Sequence, residues 1–227
     1  MNLPLGSVYS FSVLLRPIEQ DLGIARSALS LVFGLATVGF TIGSVGAPFL
    51  YRLAPAPVLV AGCAVVAAGG LALAATATAL GPLLVGYGLV FGTGGGVAYI
   101  LLQQGVNMLV RRRQGLVNGY IVSLYPLGAM LATPAFHACN EAYGWRTTLA
   151  GLSGVLLLCG AAAATLSWLS GGRLVAPDGP KAAGDDPAAA PPLWGATFVK
   201  LAATFFLAAA AGLMVLSQAR EIVVTYG

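Results

Sequence analysis

The chain has 227 residues, 58% of them hydrophobic and only 8% charged, with a net charge of +4. An average soluble domain carries roughly 25% charged residues, so a water-exposed globule is excluded, and the scattered basic excess does not make a nucleic-acid surface. The 31 glycines on an alanine-rich background suit helices that pack through small residues inside lipid.

Residues 3–15 form the first apolar block. As a helix it covers only about 20 Å of a hydrocarbon core near 30 Å, so it is expected to be a first span lacking its upstream part. No basic residue precedes it and no small-residue cleavage site follows, which argues against a signal peptide. Five blocks of spanning length follow, at about 27–50, 57–78, 82–104, 115–136 and 147–170, with another at 195–217. Lipid cannot solvate a backbone N–H or C=O, so each is expected to be a helix.

The stretch 171–192 carries Pro177, Pro180, Pro187, Pro191 and Pro192 with Asp178, Asp185 and Asp186. It holds too little apolar surface to fold, and a disordered tether is expected. The domain plan is therefore 1–170 as a six-span bundle, 171–194 as a linker and 195–227 as the start of a second bundle. Setting Gly227 on Gly23 places Arg220 on Arg16 and Ile222 on Ile18, a small echo of parallel repeats.

Sidedness follows from the loop cations. Arg52, the triplet Arg111, Arg112 and Arg113, Arg173 and Lys181 lie on one side, against Arg16, Arg26, Arg146 and Arg220 on the other. The richer side is expected to be cytoplasmic, and with it the N-terminus and the linker. The triplet reads first as a topology determinant, with lipid-headgroup binding or a conformational latch as alternatives. Cys63, Cys139 and Cys159 have no disulfide or metal-ligand spacing and read as small buried hydrophobes. No cofactor or metal is expected.

Several stretches carry a family likeness. The segment Gly6-Ser-Val-Tyr9-Ser-Phe11-Ser-Val-Leu-Leu-Arg16-Pro17 resembles the first span of major facilitator superfamily transporters, in the oxalate/formate antiporter and monocarboxylate transporter branch. Met108-Leu-Val-Arg111-Arg112-Arg113-Gln-Gly115-Leu-Val-Asn-Gly119 resembles that branch's basic loop and fifth span. Tyr143-Gly144-Trp145-Arg146 is similar to its turn into the sixth span, and Gly212-Leu-Met-Val-Leu-Ser-Gln218 to its seventh. The family's charged loop after the second span is largely missing: Arg52 remains, but Tyr51 stands for the acid, Ala54 for a glycine, and Ala56 and Pro57 for the basic pair. The resemblance therefore implies a weakened cytoplasmic latch between bundles.

The resemblance also implies that the first, fourth and fifth spans line a central cavity. Tyr9, Tyr99 and Tyr125 fall there and could hold a carboxylate by their hydroxyls; the alternative is ordinary core tyrosine. Gln103, Gln104 and Asn107 could hydrogen-bond solute or tie helices together. His137 could sense protons, Arg16 could attract anions or snorkel, and Gly92, Gly94, Gly95 and Gly96 superficially suggest a phosphate loop but suit close packing better. No acid, lysine or arginine sits at the midplane of spans two to six, and no nucleophile–base set supports an enzyme.

The expected fold is all-α and transmembrane: a six-helix bundle plus the first helix of a second. The expected function is part of a secondary transporter for small organic anions, mono- or dicarboxylates, whose second bundle is missing from the chain. The alternatives are a short membrane protein that partners or regulates a full-length transporter, and a carrier of an unrelated small solute.

Overall fold

The computed structural model describes residues 1–110, 113–171 and 174, and residues 195, 196, 199, 200, 202–204, 206 and 207. They fall in two units, Met1–Pro177 and Asp178–Gly227. Every regular element among the described residues is helical, and the fold is all-α.

The first rod is built in three pieces: α1 (Asn2–Gly6), a 3-10 turn (Ser7–Ser10) and α2 (Phe11–Leu22). The apolar block ends at Leu15, but the helix continues through Pro17 to Leu22. Buried Phe11, Leu14 and Ile18 keep one face of α2 against the bundle, and that packing outweighs the hydrogen bond lost at proline. Gly23 ends the rod with φ 65, its N–H donating to the Glu19 carbonyl at 3.0 Å.

Next come α3 (Arg26–Leu50) and α4 (Ala56–Ala75). The fourth rod joins α5 (Leu80–Leu83), a π-helical stretch (Leu84–Phe91) and α6 (Gly92–Leu109). The last long run, α7 (Gln114–Leu169), is broken at Gly144, where φ is 82 and ψ 164. Four runs are long and apolar enough to cross a membrane: Arg26–Leu50, Ala56–Ala75, Leu80–Leu109 and Gly115–Leu169. The break divides the longest of them into the expected fifth and sixth spans. The gap expected between 136 and 147 is mostly helix, because polar His137, Asn140 and Glu141 extend α7 and a single glycine redirects the chain.

Burial runs opposite to the habit of soluble helices. On α3 the inward residues are Leu29, Val32, Ala36, Gly39, Gly43 and Ala47, while Leu31, Val38, Ile42, Val45 and Phe49 are exposed. Large side chains outside and small ones inside suit a bundle solvated by acyl chains. The small residues let backbones meet. A Cβ on Gly92 would lie 2.5 Å from the Ala36 carbonyl oxygen, and one on Gly94 2.9 Å from the Ala67 nitrogen. Gly92, Gly94 and Gly96 are therefore packing residues along α3 and α4.

In the second unit the described residues form helical turns. The Val199 N–H donates to the Gly195 carbonyl at 3.1 Å and the Thr204 hydroxyl to the Lys200 carbonyl at 2.8 Å. Most of the expected linker, and the part of the expected 195–217 span beyond Leu207, lie outside the described residues.

Candidate functional site

Three tyrosines singled out from separate spans come together. The Tyr125 ring centre lies 5.6 Å from that of Tyr9 and 5.5 Å from that of Tyr99, both edge-on at 81° and 82°. Phe40 of α3 completes the group, 5.7 Å from Tyr99 and 5.7 Å from Tyr125. Edge-to-face rings at this spacing attract through their quadrupoles. Tyr125 is buried and Tyr9 is 39% exposed, so the cluster has one open side. None of the three hydroxyls is hydrogen-bonded to another side chain or carbonyl among the described residues.

The backbone beneath the rings is held closely. Gly6 of α1 lies against the Tyr125 carbonyl and Gly96 of α6 against the Phe40 carbonyl, with no room for a Cβ at either glycine. The Ser10 hydroxyl pairs with Thr133 at 2.9 Å and donates to the Ala129 carbonyl at 3.1 Å, joining the first rod to α7. Fully buried Tyr87, in the π-helical stretch, donates to the Val8 carbonyl at 3.4 Å inside the 3-10 turn that carries Tyr9. Its ring centre lies 4.6 Å from that of Phe11 and 5.0 Å from that of Phe91, both pairs tilted, at 36° and 49°. The two departures from α-geometry thus meet beside the cluster, a placement frequent at functional sites.

Gln103 lies one turn beyond Tyr99, half-buried, and makes no hydrogen bond to the tyrosine hydroxyls. Gln104 instead donates to the carbonyl of buried Leu174 at 3.2 Å, so its amide ties the chain after α7 to α6. Arg52 is exposed in the turn between α3 and α4. Arg113 is exposed at the start of α7 with φ 60, its carbonyl accepting from Leu116 and Val117. Arg111 and Arg112 lie outside the described residues. His137 Nδ1 is 3.4 Å from Glu141 Oε1 one helical turn on, both exposed.

Sequence reasoning missed Phe40 and a clasp at the opposite end of the bundle. There Asp21 Oδ2 accepts from Trp145 Nε1 at 3.1 Å and pairs with the Arg146 guanidinium. Arg146 also donates to the Ala77 carbonyl at 2.8 Å and lies 4.3 Å over the Trp145 ring. One side chain thereby joins the end of α2, the turn after α4 and the break at Gly144. The signal was present in Trp145-Arg146 directly after a positive-φ glycine, but its partners are far apart in sequence.

The hydrogen bonds from Arg146 and then Trp145 hold the Asp21 carboxyl below its ordinary range. A depressed folded pKa contributes stability above the unfolded value of about 3.9, and loses it as pH falls through the lower folded value. With Trp168 and Trp194 replaced by phenylalanine, Trp145 emission is expected to stay constant from about pH 7 to about pH 5 and change only below. Asp21→Ala should shift the emission at neutral pH and remove the acid transition; a variant that titrates like its parent contradicts the clasp.

Apolar rods seamed by small residues, four of them long and apolar enough to cross a membrane, define a multi-span integral membrane protein. The family model of the Major Facilitator Superfamily matches residues 5–226, and the chain belongs to that superfamily of transporters. Among curated proteins, none matches the chain.

Proposed function

We propose that residues 1–170 form one lobe of a secondary transporter for small organic anions, mono- or dicarboxylates, in the oxalate/formate and monocarboxylate branch. In this reading 195–227 opens a second lobe, and the two rock about a mid-membrane site. The observation that carries the proposal is the convergence of Tyr9 and Tyr99 on Tyr125, with Phe40 against the latter two and no hydroxyl partner for the three among the described residues. Hydroxyls over apolar rings can donate to a carboxylate while excluding water around it. Such a wall orients an anion, and the balancing cation belongs to the second lobe. Flux is driven by antiport or proton symport.

The N-terminus and the 171–194 linker face the cytoplasm in this reading, which exposed Arg52 and Arg113 at two turns support. Arg111 and Arg112 belong to the same loop as Arg113. Gln103 is kept as a candidate on the cytoplasmic approach to the rings.

The test is uptake of labelled mono- and dicarboxylates by the two-lobed carrier in proteoliposomes. A hydrogen bond to a charged group is worth about 1.5–3 kcal/mol, so Tyr99→Phe should weaken the preferred carboxylate about ten-fold or more. Thermal stability should hardly move, because the ring contacts remain. Unchanged uptake of every carboxylate would remove the cavity assignment.

A further inference from the structure

Tyr9 differs from the other two tyrosines of the cluster in what fixes its direction. Tyr99 meets two rings and Tyr125 three, whereas among the described residues Tyr9 meets only the ring of Tyr125. It is also the exposed member of the pair. Its aim therefore depends on the backbone that carries it, the 3-10 turn Ser7–Ser10, whose own hydrogen-bond geometry is poorer than that of an α-helix.

That turn is gripped on both sides of Tyr9. After it, the Ser10 hydroxyl is tied to Thr133 and to the Ala129 carbonyl of α7. Before it, the Tyr87 hydroxyl donates to the Val8 carbonyl. A peptide unit is planar, so the Val8 carbonyl and the Tyr9 N–H can only turn together. The carbonyl already accepts the Phe11 N–H within the turn, so it does not need Tyr87 to be satisfied. Nor does the packing need a hydroxyl: phenylalanine would fill the same space and leave no polar group to desolvate. Among the described residues this carbonyl is the one partner the Tyr87 hydroxyl has. The base of Tyr87 is fixed as well. A Cβ on neighbouring Gly86 would lie 2.7 Å from the Gly70 carbonyl oxygen and 2.8 Å from the Ala74 nitrogen, so the π-helical stretch is wedged on the backbone of α4.

We propose that Tyr87 is a positioning residue for the solute site, its hydroxyl on the Val8 carbonyl fixing the direction in which Tyr9 offers its own hydroxyl. The role rests on the carboxylate reading of the three tyrosines. Loss of the Tyr87 hydroxyl frees the Val8–Tyr9 peptide to rotate within the turn, while the contacts of the Tyr87 ring with Phe11 and Phe91 stay.

The test places a single 3-fluorotyrosine at position 9 of the full chain, purified in mild detergent, and reads it by fluorine NMR. The wild type should give one narrow line. One hydrogen bond biases a population by about five-fold, so Tyr87→Phe should add a second line or broaden the first. Ser153→Ala is the control. It removes a buried hydrogen bond to the Ala68 carbonyl, 2.8 Å long, between α7 and α4 and away from the first rod. The two variants should melt alike, but Ser153→Ala should leave the Tyr9 line narrow. Oxalate and lactate are then titrated as probes. Either should move the Tyr9 line, with half-saturation at about five-fold higher concentration in Tyr87→Phe. A wild-type line unmoved by both probes overturns the carboxylate reading, and the unliganded spectra still decide the positioning role. An unchanged Tyr9 line in Tyr87→Phe overturns that role whatever the probes do. The same broadening in Ser153→Ala overturns it too, since general loosening of the bundle would then explain the effect.

Discussion

Gly96→Val is expected to destabilise the bundle by about 1–3 kcal/mol, the usual cost of forcing extra carbons into a close-packed seam. The position has no give. A Cβ there would run into the backbone carbonyl of Phe40, and a carbonyl held in α3 cannot swing aside as a flexible side chain would. The two helices must separate, and Phe40 moves with α3 away from Tyr99 and Tyr125, each now 5.7 Å distant. Thermal unfolding in detergent measures the loss. Gly105→Val is the matched control on the same helix, with nothing within 4 Å of its Cβ position. Because replacing glycine also restricts the unfolded chain, that control should be neutral or slightly stabilised. Equal melting of the two variants would show that the α3–α6 seam does not depend on bare backbone at Gly96.

The same seam shows which parts of the structure could be read from the chain alone. The all-α fold and the small-residue style of packing were legible, because hydrocarbon imposes length and backbone satisfaction on every crossing segment. Gly92, Gly94, Gly95 and Gly96 were legible as packing residues for a related reason: no Lys-Ser/Thr pair follows them to serve a phosphate. Tyr9, Tyr99 and Tyr125 were legible as cavity candidates only through the family likeness. Their meeting depends on helix rotation, which a uniformly apolar sequence does not encode.

Phe40 was invisible for that reason. It sits between Gly39 and Thr41 on a helix that exposes Leu31, Val38, Ile42, Val45 and Phe49, and its backbone meets bare Gly96 while its ring lies against Tyr99 and Tyr125. Helix ends failed differently. Hydropathy ended the first rod at Leu15 and the fifth span at Phe136, yet both helices continue, to Leu22 and to the break at Gly144. Beyond the hydrocarbon a helix may be polar all round, and its persistence is decided by contacts such as those of Asp21 with Trp145 and Arg146. Those partners come from opposite ends of the bundle's sequence, and no local pattern announces them.

Tyr125→Ala is the variant expected to be most damaging. Tyr125 is the shared member of three ring pairs, with Tyr9 at 5.6 Å, Tyr99 at 5.5 Å and Phe40 at 5.7 Å. At about 0.5–1.5 kcal/mol for each pair, their loss amounts to roughly 3 kcal/mol, before the void left by the ring is counted. In lipid the transfer of apolar surface contributes little, since the surroundings are apolar in either state; lost van der Waals contact makes up the cost. Tyr125→Phe keeps all three pairs and should melt close to wild type. A double-mutant cycle with Tyr9→Ala then measures coupling directly: the double variant should be less destabilised than the sum of the single ones, because one ring pair is removed by both. Additive effects would mean that the rings are neighbours without being partners. A loss no larger than that of exposed Leu158→Ala would mean that the cluster plays no part in holding the first, fourth and fifth spans together. If the coupling is present, the same pairs that fix the wall also fix the directions of its hydroxyls. Stability and solute selectivity should then separate cleanly between the alanine and phenylalanine variants.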